Sequence, residues 1–427
     1  MLNYYGVLWV NCHSFEGKAT LSDQEKWDSL PFPLQISFSS IDHHTSAPSQ
    51  YISYFSQTED FKGKNMIVFA ANATPFKSMP SPLQLRNDCH RSFGFTDFFQ
   101  MCHNKPRGIT NRSMASNEEE PLPLESIKAL CKAWVWRGHK VNYFVCQARD
   151  GSPSQPSILL VHGFGASVSH WRRNVSTLSQ DHTVYAVDLL GFGASDKPLG
   201  YTYSTEKWSE LILDFLNEVV GKRPTVLIGN SIGSLVCVIS AAADSQLIRG
   251  IVLLNCAGGM NNKAIVDDWR IKLLLPLLLL VDFLLKQNAI ASAIFSRVKK
   301  RENIRNILLS VYGNKDSVDD ELVEIISGPA NGDGALDAFV SIVTGSPGPN
   351  PALLIPQIAL PVLVLWGNLD PFTPVDGPVG KFFSSLPAKM QNVKFFVLEG
   401  VGHCPHDDRP ELVHDQLLPW LATLPPL

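Results

Sequence analysis

The 427-residue sequence has no C-x-x-C pair. Its eight cysteines (Cys12, Cys89, Cys102, Cys131, Cys146, Cys237, Cys256 and Cys404) are scattered. That spacing fits free thiols in a reducing compartment better than a disulfide framework or a zinc site. An excess of positive charge is also missing. Lys and Arg number 36 against 40 Asp and Glu, a formal net charge of -4, which argues against a nucleic-acid binder. No uninterrupted apolar run reaches the ~20 residues needed to span a bilayer. The greasiest stretch, "IKLLLPLLLLVDFLL" over Ile271 to Leu285, is broken by Lys272, Pro276 and Asp282. Two readings stay open for it: a buried helix, or a helix that dips into a membrane face or lines a greasy pocket. It lacks the strongly polar face of an isolated interfacial helix. No repeat with a period of 20 to 50 residues is evident, and no metal, nucleotide or flavin motif is present, so no cofactor is expected.

What is there is an ordinary globular composition, 45% hydrophobic and 18% charged, with ample material for a core. The first 120 or so residues differ from the rest. No basic n-region followed by an apolar h-region marks a secretory signal. Between Met66 and Ser116, Lys77, Arg86, Arg91, Lys105, Arg107 and Arg112 face only Asp88 and Asp97, and serine recurs. Basic, Ser-containing, acid-poor text is the composition of organelle transit peptides. The expectation is a transit peptide over about 66–116 inside a disordered region 1–120, with the residues before Met66 as an upstream extension. A plain disordered tail is the alternative. "NEEEPLPLES", from Asn117 to Ser126, reads as an acidic linker into a folded domain over 121–427.

Within that domain, "KAWVWRG" and "KVNYFVCQA", separated by Gly-His, predict a β-hairpin. Short apolar runs then alternate with helical segments. They are "SILLV" (157–161), "TVYAV" (183–187), "TVLI" (225–228), "GIVLL" (250–254), "PVLVLW" (361–366) and "VKFFVL" (393–398). Near-continuous apolar strands are buried on both faces, so the prediction is an α/β fold with a mostly parallel sheet and helices on each side. From Gly258 to about Gln357 the strand rhythm gives way to leucine-rich helical text, a helical cap inserted over the sheet.

Gly229-Asn230-Ser231-Ile232-Gly233 fits G-x-S-x-G between a strand and an apolar helix, "SLVCVISAAA". A turn this tight forces the serine into strained backbone and lifts its hydroxyl above the sheet edge. There the helix N-terminus favours negative charge. A serine hydroxyl needs a base, and the base needs an orienting carboxylate. In "LWGNLDPFTP", Asp370 lies just past a strand end, and Asp376, beyond two prolines, is the weaker competitor. In "LEGVGHCPHDDRP", His403 occupies the loop after the last strand. His406 is its competitor, read as helix-start or surface polarity beside Asp407 and Asp408. The order Ser, Asp, His, each at the C-terminal end of a strand, suits this architecture. The intermediate's oxyanion needs two donors, assigned to the backbone N–H groups of Phe164, in "VHGFGAS", and Ile232. His162 is read as a structural histidine that holds its loop. "DLLGFGASDKP", 188–198, lacks G-x-G-x-x-G and reads as a turn lining the site.

In order, "HGFGAS", "DLLGFGASDKP", "GNSIGS", "WGNLDPFTP" and "GVGHCP" resemble the α/β-hydrolase superfamily from about Lys132 to Trp420. The wording is similar to the plant chloroplast branch related to pheophytinase. It looks nearest to the chlorophyll dephytylases in "IGNSIGSLVC", "LLNCAGGMNNKA", "DDWRIKLLLPLLLLVDFLLK" and "GVGHCPHDDRP". The resemblance implies hydrolysis of the phytyl ester of chlorophyll, to chlorophyllide and phytol, at the thylakoid membrane of the chloroplast. It implies Ser231 as nucleophile, Asp370 as acid and His403 as base. Ser234 departs from the broad superfamily, where a second glycine is common; a serine there should crowd the turn only modestly. The residues by themselves support a serine hydrolase acting on an ester. They exclude relatives that attack with aspartate, because Ser231 holds that place. A plastid lipid or acyl-ester hydrolase is the enzymatic alternative, and a ligand-binding receptor on the same fold the non-enzymatic one. The expected partners are a hydrophobic ester substrate and, peripherally, the thylakoid membrane, with no nucleic acid.

Overall fold

A computed structural model describes residues 121–149, 155–261 and 279–424. The transit segment expected over 66–116 and the first part of the greasy stretch, 271–278, lie outside these residues.

Strands β1 (Cys131–Trp136) and β2 (His139–Cys146) form the antiparallel hairpin. Its turn is Arg137–Gly138 rather than the Gly-His pair read from sequence, and His139 already pairs with Trp136. Both turn residues have positive φ, 49° at Arg137 and 85° at Gly138. That is the requirement of a two-residue type I′ turn, whose twist matches the strands it joins. The remaining strands are β3 (Ser157–Val161), β4 (Val184–Val187), β5 (Thr225–Asn230), β6 (Ile248–Leu254), β7 (Val362–Gly367) and β8 (Val393–Leu398). They complete an eight-stranded sheet in the order β1-β2-β4-β3-β5-β6-β7-β8. Every pairing beyond β2–β4 is parallel.

The central strands explain themselves. β3, β5 and β7 are buried along their whole length, which is why they read as unbroken apolar runs instead of alternating ones. β8, at the sheet edge, exposes Lys394, Phe396 and Val397. One layer of core, on one face of the sheet, includes Trp208, Leu211, Ile212 and Phe215 from the helix Thr205–Glu218 with Leu235 and Val236 from the helix Ile232–Ala243. On the other face Trp171, Val175, Val413, Leu417 and Trp420 pack against Ile158, Ile228 and Leu365. Burying a large aliphatic side chain contributes ~1.5–3 kcal/mol, so both faces anchor the strand ends firmly.

Between β6 and β7 the described residues hold helices and turns and no strand. The main helices there are Asn288–Val298, Arg301–Val311, Asp320–Ser327 and Ala335–Thr344. A smaller cluster holds part of this insertion together, with Ile304, Leu308, Val311, Tyr312, Leu322 and Val323 packed on Cys404. In the greasy stretch, Leu285 is buried but Leu279, Leu280 and Phe283 are 57%, 52% and 61% exposed. A fully buried helix therefore does not describe the part that is seen.

Candidate active site

The C-terminal ends of the parallel strands carry the chemistry-bearing residues. β5 ends at Asn230, and Ser231 follows with φ 54° and ψ -116°. A positive φ on a residue with a Cβ costs roughly 1–3 kcal/mol and persists only where its surroundings fix it. Here they do. Ser231 N–H donates to the Leu254 carbonyl at 2.9 Å, and the Ser231 carbonyl accepts from Ala257 N–H at 3.1 Å. The two glycines of the motif are required by close approach. A Cβ on Gly229 would run into the Gly233 carbonyl and Ser234 N, and one on Gly233 into the Val161 and His162 carbonyls. Ser231 is half-buried, at the N-terminus of a twelve-residue helix whose dipole favours an anion there.

The loop after β7 places Asp370, 3% exposed, so that its Oδ2 accepts from His403 Nδ1 at 2.8 Å. With Nδ1–H committed to the carboxylate, the His403 Nε2 lone pair is free to accept a proton. Asp370 is held from every side. Oδ1 accepts from Phe372 N–H and Thr373 N–H, at 2.8 and 3.1 Å, while Oδ2 also accepts from Thr373 Oγ1 and Asn255 Nδ2, both at 2.6 Å. Burial pushes this carboxyl's pKa up, but the His403 charge and the bonds from His403 and Thr373 outweigh it, and the net shift is downward. Asp376 is exposed.

His403 is fixed through its backbone as well. Its N–H donates to the Val311 carbonyl at 3.0 Å and its carbonyl accepts from Asn230 Nδ2 at 3.0 Å. The latter bond ties the histidine loop to the residue before Ser231. On the other side of the serine, a Cβ placed on Gly163 would come within 3.4 Å of Ser231 Cβ. That proximity sets the 163–164 backbone beside the serine. The Phe164 ring is 43% exposed and meets Phe192 at 5.6 Å and Phe339 of the insertion at 6.2 Å. Buried His162 accepts from Leu189 N–H through Nε2, at 3.0 Å, and donates from Nδ1 to the Gly163 carbonyl at 2.7 Å. It braces the loop as a neutral ring; burial, the largest influence on it, drives its pKa down.

Several contributors escape a motif reading. Asn255, at φ 44°, follows β6 and links its neighbours, donating to Asp370 and accepting from Gly367 N–H at 3.0 Å. Its one sequence signal is an Asn directly after a strand, a residue that tolerates the left-handed region. Ser234 is fully buried, and its hydroxyl donates to the Gly229 carbonyl at 2.6 Å while accepting from Leu254 N–H at 3.0 Å. The serine therefore pins the ends of β5 and β6 together where a glycine would leave a gap. Asp188 accepts from Val168 N–H, Ala194 N–H and Asn142 Nδ2, at 2.7, 2.8 and 2.8 Å, and joins the loops after β3 and β4.

Of the two readings of His406, the helix start holds, since it lies in the short helix Pro405–Asp408, while surface polarity does not: it is fully buried, as are Asp407 and Asp408. Tyr312 donates to Asp407 Oδ2 at 3.1 Å, and so accepts from His170 Nε2 at 2.8 Å. His170 Nδ1 then accepts from His406 Nε2 at 3.3 Å, with the His406 ring 4.1 Å from that of Trp171. Asp407 also pairs with Arg172 at 3.1 Å and Arg173 at 3.3 Å. Burial keeps both imidazoles neutral, lowering His170 to about 4 and His406 well below its ordinary value. Among the described residues, no group of three or more His, Cys, Asp or Glu is arranged to hold a metal ion.

The Alpha/beta hydrolase family profile matches residues 158–416. The chain belongs to the alpha/beta hydrolase family. Among its relatives in that family is the chloroplastic pheophytinase of Arabidopsis thaliana, 27% identical over 311 residues. That match takes in 63% of this chain and 62% of pheophytinase, so the chain spans less than two thirds of that relative's length. A shorter match, 28% over 130 residues, is to the probable lysophospholipase BODYGUARD 3 of the same plant, covering 29% of this chain and 26% of that protein. The epoxide hydrolase CorEH superposes with a TM-score of 0.55 at 19% identity, over 69% of this chain and 99% of its own. At that identity the likeness concerns the fold of this hydrolase-family chain.

Proposed function

We propose that the protein is a serine ester hydrolase that removes phytol from chlorophyll. The observation that supports the ester-hydrolase reading is a strained serine at a helix N-terminus whose preceding residue, Asn230, bonds the carbonyl of His403, itself paired with buried Asp370. Ser231 Oγ attacks the ester carbonyl carbon as His403 Nε2 takes its proton. The developing oxyanion accepts hydrogen bonds from Phe164 N–H and Ile232 N–H, each such donor being worth ~3–4 kcal/mol of barrier. Collapse breaks the carbonyl carbon–alkoxy oxygen bond, and the departing phytol oxygen takes the proton from His403. Water then attacks the acyl-enzyme with His403 again as base, which releases chlorophyllide and restores Ser231. Asp370 stays ionised and orients the imidazole throughout.

The phytyl ester as substrate, and the chloroplast as location, rest on likeness to the chloroplastic pheophytinase and on the motifs quoted above. The cap over 258–357 then forms the substrate-facing part of a hydrolase domain over 121–427, preceded by the transit peptide. Exposed Leu279, Leu280 and Phe283 suit an enzyme that meets its substrate at a lipid surface. The second reading, a plastid lipid hydrolase, draws on the likeness to a probable lysophospholipase. Purified protein incubated with chlorophyll a, pheophytin a and galactolipid separates the two. Chlorophyllide is expected from the first. Fatty acid from galactolipid with no chlorophyllide would overturn the dephytylase reading.

A further inference from the structure

The turn that leaves the cap helix Arg301–Val311 lies directly on the loop that carries His403. His403 N–H donates to the Val311 carbonyl at 3.0 Å. The approach is so close that a Cβ on Gly313 would strike the Gly400 carbonyl and one on Gly402 the Val311 carbonyl. One carboxylate spans the junction. Asp408, 1% exposed, accepts through Oδ2 from Gly402 N–H at 2.6 Å and from Gly313 N–H at 2.8 Å. Its Oδ1 accepts from Asn314 N–H at 2.8 Å, and its backbone carbonyl accepts from Ser317 Oγ at 2.8 Å. A buried carboxylate is stable only when its lone pairs are met by donors. Here three backbone N–H groups meet them, two from the cap and one from the residue before His403.

Asp407 does different work, facing Arg172, Arg173 and Tyr312. Asp408 alone of the pair touches both the cap turn and the histidine loop. We infer that Asp408 is a positioning residue that couples the cap segment 311–317 to His403, so that the imidazole is correctly placed only while the cap turn is docked. A displacement of about 1 Å at a reacting group can cost ~10²-fold in rate. The coupling rests on the reading of His403 as general base.

A double-mutant cycle with p-nitrophenyl acetate, an ester too small to need the cap for binding, tests the coupling. Asp408→Asn keeps the shape but turns an N–H₂ toward donors that need an acceptor. It is expected to lower kcat by 10- to 100-fold with KM within twofold, and Asp408→Glu to recover part of the loss. In a His403→Ala background the same change is expected to leave the residual rate as it was. An unchanged kcat, or an equal further loss in the His403→Ala background, overturns the coupling. Where Asp408→Asn lowers the yield of folded protein, Ser317→Ala and Gly313→Ala probe the junction from the cap side under the same two criteria. Wild-type turnover by His403→Ala itself would overturn the His403 reading and with it the coupling. A failed cycle with His403→Ala inactive overturns the coupling alone.

Discussion

Ser231 and Asn255 carry two of the four positive-φ values at residues other than glycine among the described residues, and both sit at the site. Their roles separate by experiment. Ser231→Ala keeps the backbone and removes the proposed nucleophile, so ester cleavage is expected to fall by at least ~10⁴-fold with the melting temperature little changed. Turnover and thermal melts of the same preparation check it. Asn255→Ala removes a buried donor to Asp370 and places a less tolerant residue at φ 44°. Bonds to charged groups are worth about 1.5–3 kcal/mol, so denaturant titration should find a loss of that order, with turnover also reduced. At this scale the sequence was legible in where the motif residues lie, after the ends of β5, β7 and β8. Ser231, Asp370 and His403 each follow a strand end with small or turn-forming neighbours. Asn255, Ser234 and Asp408 were not, because each joins segments brought together only by the fold: Asn255 to Asp370 and Gly367, Ser234 to Leu254, and Asp408 to Gly313.

Between elements, the chain His406–His170–Tyr312–Asp407 joins the loop after β3, the cap and the segment after His403. Its two histidines are neutral imidazoles in the folded state. His170 titrates near 4 when folded against an ordinary value of 6.5. Below the ordinary value the unfolded chain binds the proton that the folded chain refuses, so stability is complete above about pH 6.5 and drains away toward pH 4. Refusing that proton is worth on the order of 3 kcal/mol at His170, and His406 acts in the same direction. Asp370, lowered when folded, adds a loss only at more acid pH, as it protonates. The urea midpoint should therefore fall between pH 7 and pH 4.5; a flat profile would contradict the buried-neutral assignment. Elements themselves were legible from sequence wherever burial on both faces gives an unbroken apolar run, as in β3, β5 and β7. The hairpin turn slipped by one residue because Arg137 joins Gly138 in the left-handed region while His139 already pairs with Trp136.

For the whole molecule, the sheet supplies the strand ends that carry Ser231, Asp370 and His403, and the proposed reading gives the substrate-facing surface to the insertion between β6 and β7. The greasy stretch read from sequence as either a buried helix or a membrane-facing one, and hydropathy alone cannot choose between these. Exposure of Leu279, Leu280 and Phe283 favours the outward reading for the described part. No single helix among the described residues is long and apolar enough to cross a membrane. Leu280→Ser with Phe283→Ser removes two apolar side chains worth ~1.5–3 kcal/mol each when fully buried in lipid. Flotation with vesicles of chloroplast galactolipids should fall at least tenfold, while p-nitrophenyl acetate turnover stays constant. The measurement that bears most directly on the account is covalent labelling with a fluorophosphonate followed by peptide mass spectrometry. Adduct on Ser231 in the wild type, lost in Ser231→Ala and slowed strongly in His403→Ala, is the predicted result. An unlabelled Ser231, or a labelling rate indifferent to His403, would contradict it.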